Sequence, residues 1–152
     1  MNITQVYLTP DCDGTDVKVR YAYQIQTNYI QIFIEECLRK NKVDLGDFNR
    51  LVFEEGGDTT KDFIIVGNNA VPVSIEETYS ELKALGSDRE VHNYFVRKYL
   101  EGFRKLDAHY SSTFESYLEP LLNTKYKDDL FYEKKMAGKR SEGLRLQVMG
   151  RY

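Results

Sequence analysis

The sequence predicts a single α+β domain over residues 1–152, with a mostly antiparallel sheet packed against a helical C-terminal half. Runs of alternating apolar residues dominate the N-terminal half, which is typical of strands with one buried face. Apolar residues spaced three or four apart dominate after residue 75, which is typical of amphipathic helices. A chain of 152 residues is also long enough to bury one core without disulfide support.

The N-terminal segment is predicted to form two strands joined by a turn. Residues 3–8 form the first strand, and residues 17–25 form the second. Five side chains of the second strand occupy every second position and therefore share one face: Val17, Val19, Tyr21, Tyr23 and Ile25. Between the two strands lie Pro10, Gly14 and three Asp residues, which are typical turn residues. The two strands are therefore expected to form a ribbon.

The next segment changes to a helical period. Residues 27–40 place five apolar side chains on one face: Ile30, Phe33, Ile34, Cys37 and Leu38. Thr27 or Asn28 can cap the start of this helix, and Arg39 and Lys40 suit its C-terminal dipole.

Three further strands are predicted at residues 51–55, 62–66 and 71–75. The Gly and Asn residues before the last of them favour a hairpin between residues 62–66 and 71–75. Pro72 cannot donate a backbone hydrogen bond, so the strand at 71–75 is expected at a sheet edge.

The rest of the chain is predicted to be helical until its last segment. Ser74 and Glu77 form a capping-box pattern for a first helix, which Gly86 closes. Ser87 or Asp88 caps a long helix whose apolar stripe is Val91, Phe95, Tyr99, Phe103, Leu106 and Tyr110.

A second capping-box pattern, Ser112 with Glu115, opens the following helix, which Pro120 is expected to bend or end. Residues 125–138 are expected to hold one more short helix. The alternation of Leu144, Leu146 and Val148 predicts a final strand that returns to the sheet.

Composition points to a reducing, cytoplasmic setting. No run approaches 18 apolar residues, and the N-terminus lacks the pattern of a signal peptide. The two cysteines, Cys12 and Cys37, are too few for a disulfide framework, although a single bridge stays open. The sequence therefore predicts no contact with a membrane.

Charge is distributed unevenly along the chain. Residues 1–90 carry 16 acidic and 9 basic side chains, whereas residues 125–152 carry 4 acidic and 8 basic side chains. The acidic part would repel nucleic acid and attract a basic partner. Basic residues near 134–140 lie close to aromatic residues, but a solvated helix face explains them better than nucleic-acid binding.

Acidic residues concentrate in two predicted turns of the N-terminal half. If both turns lie at the same end of the sheet, they form a negative patch that attracts a basic protein. The predicted partner-binding residues are Asp11, Asp13, Asp16, Glu54, Glu55, Asp58 and Asp62.

An enzymatic alternative uses some of the same residues. The string TPDCDGT, residues 9–15, resembles the nucleophile loop of haloacid dehalogenase-like phosphotransferases, and GDTTKD, residues 57–62, resembles their metal-binding motif. This resemblance implies a Mg²⁺-dependent enzyme that uses Asp11 and Asp13. The 46 residues between Asp11 and Asp58 hold one convincing helix, whereas a doubly wound sheet needs at least two crossovers there. The sequence therefore favours turns between strands over a catalytic loop.

No other pattern indicates catalysis, a cofactor or a bound metal. His92 and His109 fall on one predicted helix roughly 25 Å apart, so they cannot share a metal ion. The chain lacks the Gly-Lys-Ser/Thr ending of a phosphate-binding loop and the nucleophile pattern of serine hydrolases.

An edge strand, a short helix and the following long helix together carry a family resemblance. VPVSIEETYSEL, residues 71–82, followed by YFVRKYLEGFRKLDAHY, residues 94–110, is similar to small bacterial immunity proteins. The resemblance covers roughly residues 70–122 and implies a cytoplasmic inhibitor, without catalysis of its own, that blocks a toxin. The sequence thus favours a protein-binding domain with a basic partner. The phosphatase-like enzyme and a module that self-associates through the sheet edge near Pro72 are the alternatives.

Overall fold

The computed structural model describes residues 1–9, 21–55, 70–75 and 78–124 of the chain. Its elements are strands β1 (Gln5–Thr9), β2 (Arg50–Glu55) and β3 (Ala70–Ile75), a π-helical turn (Ala22–Gln26), and helices α1 (Asn28–Lys40), α2 (Tyr79–Ala84), α3 (Asp88–Tyr110) and α4 (Phe114–Thr124). The prediction of an α+β chain with helices in its C-terminal half is confirmed.

The three described strands pair in parallel, so the structure does not support the prediction of a mostly antiparallel sheet. The strand order is β1-β2-β3, with Val6 beside Leu51 and Phe53 beside Val73. Helix α1 lies between β1 and β2 in the chain and returns it to the start of the sheet, as parallel pairing requires. An alternating pattern identifies a strand but says nothing about the direction of its neighbour.

The predicted strand at residues 17–25 is also wrong over its described part. Residues 21–26 are helical, and Thr27 Oγ1 donates to the Ala22 carbonyl at 2.7 Å, which closes the π-turn. Ala22 is buried and Tyr23 half-buried, whereas Tyr21 and Ile25 are exposed. The three described members of the alternating set, Tyr21, Tyr23 and Ile25, therefore do not share one buried face.

One face of the sheet supports the helices. Val6, Leu51, Phe53 and Val73 are fully buried on this face, and α1 and α3 pack toward it. Gln5 and Glu54 on the opposite face are exposed. The side chain of Glu35 on α1 also covers the outer edge of β1, because its Oε2 accepts from the Val6 amide at 2.9 Å.

The predicted apolar faces of α1 and α3 are confirmed. All five predicted residues of α1 are buried, and so are those of α3 apart from the half-buried Tyr110.

A buried histidine joins three helices at this core. Tyr29 OH of α1 lies 2.8 Å from His92 Nδ1 of α3, and His92 Nε2 donates to the Leu122 carbonyl of α4 at 3.2 Å.

The predicted helix ends agree only in part with the structure. Ser87 caps α3, as predicted, by accepting from the Glu90 amide at 3.2 Å. Ser74 instead lies in β3 beside Glu54, and α2 begins after Thr78. Helix α4 continues past Pro120 to Thr124, so the proline does not end it.

The cap of α4 differs from the predicted capping box. Asp107 accepts from the Phe114 amide at 2.7 Å and from the Glu115 amide at 2.9 Å, so its carboxylate takes the role that the capping-box pattern predicted for Ser112. Ser112 Oγ donates to the same carboxylate at 2.6 Å.

Several predicted elements lie outside the described residues. These are the strand at 62–66 with its hairpin, the helix at 125–138, the final strand near 144–148 and residues 10–20 of the predicted ribbon. Pro72 lies in β3, which is an outer strand of the described sheet, in agreement with its predicted edge position.

Candidate functional site

The carboxyl ends of the three strands form the candidate site. Because the strands are parallel, β1, β2 and β3 all end at the same side of the sheet, which we call the carboxyl edge (Thr9, Glu55 and Ile75). Thr9 is the register partner of Glu54, so the first two strands end side by side. In open α/β sheets, ligands bind at this end of the strands.

The seven predicted partner-binding residues divide into two groups. Glu54 and Glu55 are described, and both lie on β2 rather than in a turn. The remaining five lie outside the described residues: Asp11, Asp13, Asp16, Asp58 and Asp62. The strands that lead into their segments are neighbours and point the same way, so both segments leave the sheet from the carboxyl edge.

Glu54 and Glu55 have opposite environments. Glu54 is exposed on the open face of the sheet, whereas Glu55 has 0% of its surface accessible. Alternation along a strand explains the difference, since successive side chains point to opposite faces. Glu54 is therefore available to a partner, and the prediction that Glu55 contacts a partner is wrong.

A buried lysine compensates the charge of Glu55. Lys98 of α3 is 1% exposed, and its Nζ lies 3.8 Å from Glu55 Oε1 and 3.2 Å from Glu101 Oε1. A buried carboxylate needs such a partner, because an isolated charge in the interior is very costly. Sequence analysis did not single out Lys98, since its pairing with Glu55 depends on how α3 packs against β2.

Two tyrosines extend this ion pair into a network. Tyr23 OH, in the π-turn, donates to Glu55 Oε2. Tyr94 OH, one turn before Lys98 on α3, donates to the Thr78 carbonyl at 3.3 Å and lies 2.7 Å from Thr78 Oγ1. Besides burial, the nearby Glu55 carboxylate raises the pKa of Tyr94, so this phenol also lies close to the ion pair. We call these five residues, Tyr23, Glu55, Thr78, Tyr94 and Lys98, the edge network.

The edge network joins the three chain segments that follow β1, β2 and β3 to helix α3. Tyr23 follows the segment that leaves β1, Glu55 precedes the segment that leaves β2, and Thr78 ends the segment that leaves β3. Thr78 stands at the N-cap of α2 but makes no side-chain cap bond, because its hydroxyl is used by Tyr94. The network therefore fixes where each segment meets the rest of the molecule.

Burial also changes the ionisation of the tyrosines near this edge. Burial, with smaller contributions from the Glu55 and Glu81 carboxylates, raises the pKa of Tyr94 to about 12. Burial likewise raises the pKa of Tyr99, one turn further along α3. Both phenols therefore stay neutral to a higher pH than an ordinary tyrosine, and Tyr94 uses its hydroxyl to contact Thr78.

The π-turn also presents an apolar surface that sequence analysis missed. Tyr21 is 52% exposed and Ile25 is 61% exposed, and they lie four residues apart, about one turn. We call Tyr21 and Ile25 the exposed pair. The sequence placed both residues on the same strand face as Tyr23, so no signal distinguished them from the inward-facing Tyr23.

The described ranges contain no group of three or more His, Cys, Asp or Glu side chains that could hold a metal ion. His92 is buried between helices, whereas His109 is exposed at the end of α3. Within the same ranges, no helix has the length and apolar character needed to cross a membrane.

Comparison of the chain with protein-family models, curated proteins and solved structures finds no match. Inferences about function therefore rest on the carboxyl edge and its chemistry.

Proposed function

We propose that this chain is a protein-binding domain, without catalysis of its own, that captures a basic protein at its carboxyl edge. An immunity-type inhibitor that blocks a basic toxin is the specific form of this function that we propose. It combines a small acidic domain with the resemblance carried by residues 71–82 and 94–110.

The parallel pairing of β1 and β2 is the observation that carries the proposal. It puts the ends of β1 and β2 side by side at the carboxyl edge, and in the sequence Asp11, Asp13 and Asp16 follow β1 while Asp58 and Asp62 follow β2. In our proposal these acids act together with Glu54, because a local negative field accelerates association with a basic protein and favours its correct orientation.

The surroundings of Glu54 and Glu55 support a division of roles. Glu54 adds an exposed charge to the edge, whereas Lys98 compensates the charge of the buried Glu55. In our proposal the partner therefore contacts Glu54 and the aspartates, and Glu55 organises the edge from within.

The test uses a variant with a neutralised edge, Asp11→Asn, Glu54→Gln and Asp58→Asn. Immobilised wild-type chain should retain a basic protein from an extract of the native host, and this variant should lose it. If the retained protein is a toxin, adding the wild-type chain should abolish its activity, whereas the variant should not.

The matched control removes three acids at the opposite end of the molecule, Glu36→Gln, Asp47→Asn and Glu115→Gln. Glu36 and Glu115 make exposed ion pairs with arginines, which contribute little to stability. This control should retain the same protein as wild type. Failure of the wild-type chain to retain any basic protein, or equal retention by all three chains, would contradict the proposal.

A Mg²⁺-dependent phosphotransferase is the second candidate, and the parallel sheet favours it. The sequence predicts one helix between Asp11 and Asp58, where a doubly wound sheet needs at least two crossovers, and the structure has one crossover there, between the parallel strands β1 and β2. Asp11 follows β1 by two residues, which is where the nucleophile of such an enzyme is expected.

Hydrolysis of an aryl phosphate separates the two candidates. The enzyme requires turnover that depends on Mg²⁺ and disappears in Asp11→Asn, together with a thermal midpoint that rises with Mg²⁺. The inhibitor requires no turnover, and binding of its partner should be unaffected by chelation of Mg²⁺.

A further inference from the structure

We infer that the exposed pair, Tyr21 and Ile25, is the apolar anchor through which the basic partner is held. This inference rests on the proposed function, because it assigns contact residues to the same partner. It adds an apolar centre to a surface that the sequence describes only by its charges.

The exposure of the pair is unusual within the described part of the chain. Three large hydrophobic side chains are exposed there, and two of them belong to this single turn; the third, Met1, lies beside Asp44. Apolar side chains that cluster on a protein surface mark interaction sites more often than apolar side chains that are scattered singly.

The turn that carries the pair is held firmly from the inside. Ala22 is buried, Thr27 Oγ1 donates to the Ala22 carbonyl, and the Tyr23 ring packs edge-on against Phe95 with centroids 4.7 Å apart. π-helical turns occur frequently at functional sites. Because the turn is held in this way, its backbone loses little conformational freedom when a partner covers Tyr21 and Ile25.

The position of the pair connects it to the acidic surface. Tyr23, between the two residues, bonds Glu55 at the carboxyl end of β2. Gln26 Nε2, next to Ile25, donates to Asp88 Oδ1 at 2.9 Å, and Asp88 is exposed at the start of α3. Asp88 therefore adds an exposed acidic group beside the turn that carries the pair, and in the sequence the segment before Tyr21 carries Asp11, Asp13 and Asp16 together with Lys18 and Arg20.

This combination fits a basic protein that offers a small apolar pocket surrounded by Lys or Arg. Binding energy at protein interfaces concentrates in a few central aromatic or aliphatic side chains, with polar and charged groups at the rim. The acidic rim would repel an anionic lipid surface, and it would also repel a second copy of a chain whose net charge is −3.

A photoreactive side chain tests which molecule covers the pair. Ile25→p-benzoylphenylalanine, expressed in the native host and irradiated, should give one covalent adduct with a basic protein. The same replacement of Lys40, at the other end of helix α1, is the control and should not give this adduct, because Lys40 lies away from the carboxyl edge.

The partner purified from that adduct is then used to measure affinity and rates. Ile25→Ser and Tyr21→Ala should each weaken binding by about ten-fold or more, mainly through faster dissociation. Their thermal midpoints should stay close to that of wild type, because both side chains are exposed. Lys40→Ala should leave the affinity unchanged.

The possible failures distinguish this inference from the proposed function. If the edge-neutralised variant loses the basic partner while Ile25→Ser and Tyr21→Ala bind it like wild type, the anchor is wrong and the proposed function stands. An adduct with a second copy of this chain would also overturn the anchor. If neither retention nor crosslinking recovers a basic protein, both proposals fail.

Discussion

At the residue scale, Gly102 determines how closely helix α3 approaches the sheet. A Cβ atom at this position would lie 2.7 Å from three ring atoms of Phe53 on β2. Phe53 cannot move away easily, because it is fully buried and packs edge-on against Phe103, with centroids 5.1 Å apart. A methyl group therefore cannot be added without displacing the helix or the ring.

Gly102→Ala should destabilise the protein by about 1–3 kcal/mol, the usual cost of overpacking a core. Alanine favours helices by up to about 1 kcal/mol over glycine, so the measured value is a net effect. Urea denaturation followed by circular dichroism measures it. Gly86→Ala is the control, because nothing lies within 4 Å of its added Cβ. Equal stability of both variants would show that the helix and sheet are not in close contact.

The buried phenol of Tyr94 should make stability depend on alkaline pH. Its pKa rises from an ordinary value of 10.0 to about 12 in the folded chain. Between these values the unfolded chain loses the phenol proton while the folded chain keeps it. The free energy of unfolding should therefore fall as pH rises from about 10 to about 12.

Tyr94→Phe removes this titration. Denaturation curves measured across the same pH interval should show a shallower decline of stability for Tyr94→Phe than for wild type. Identical slopes for the two proteins would mean that Tyr94 ionises equally easily in the folded and unfolded chains.

At the scale of elements, the pair of Lys98 and Glu55 joins helix α3 to strand β2 at the carboxyl edge. Removing one member of a buried ion pair leaves the other charge without compensation in the interior. Lys98→Met should therefore cost about 3–5 kcal/mol, measured by urea denaturation. The double variant Lys98→Met with Glu55→Leu should recover much of that loss.

A surface pair provides the comparison for this experiment. Arg97 and Glu81 join α3 to α2, and their side chains are 57% and 46% exposed. Arg97→Gln should cost less than about 1 kcal/mol, because solvent screens exposed pairs. A double variant at Lys98 and Glu55 that is no more stable than Lys98→Met would contradict the assigned ion pair.

Helix α4 depends on a cap that comes from the preceding helix. Asp107 of α3 accepts from two amides of the first turn of α4, where a negative charge also interacts favourably with the helix dipole. Asp107→Ala should destabilise the protein by about 1–2 kcal/mol. Ser112→Ala, which removes the predicted cap, should cost clearly less in the same denaturation experiment. A larger loss of stability in Ser112→Ala than in Asp107→Ala would instead support the capping box that the sequence predicts.

Helices were more predictable than their ends. The buried faces of α1 and α3 follow from a period near 3.6, since the spacing of the apolar residues determines which side of an amphipathic helix faces the core. Caps depend on which side chain reaches the first turn in space. The Thr78 hydroxyl contacts Tyr94 instead of capping α2, and Asp107 caps α4 from the preceding helix. Neither arrangement can be derived from local sequence.

At the scale of the whole molecule, the direction of the strands decides what the acidic residues can do. The sequence identified β1, β2 and β3 by alternation, but alternation is the same in parallel and antiparallel sheets. It also located Glu54 and Glu55 without revealing that only Glu54 faces outward. The exposed pair was missed because five alternating residues favoured a strand where the structure has a π-turn.

The direction of β1 and β2 can be tested in solution, and the proposals for the carboxyl edge depend on it. Gln5 is the register partner of Arg50, so these two residues are neighbours on one face of the sheet. Glu54 lies four residues further along β2 on the same face, roughly 13 Å from Arg50. If β1 and β2 were antiparallel with Gln5 opposite Glu54, Gln5 would be close to Glu54 and far from Arg50. Side chains at the three positions therefore report direction without disturbing the buried face of the sheet.

A bimane dye is attached at Gln5→Cys, in a chain that also carries Cys12→Ser. Because the chain contains no Trp, the dye can be quenched only by an introduced Trp or weakly by Tyr. Cys37 is buried and should not react with the dye. Parallel strands predict strong quenching by Arg50→Trp and weak quenching by Glu54→Trp. Stronger quenching by Glu54→Trp would mean that the strands oppose each other, and the segments with Asp11 and Asp58 would then leave opposite ends of the sheet.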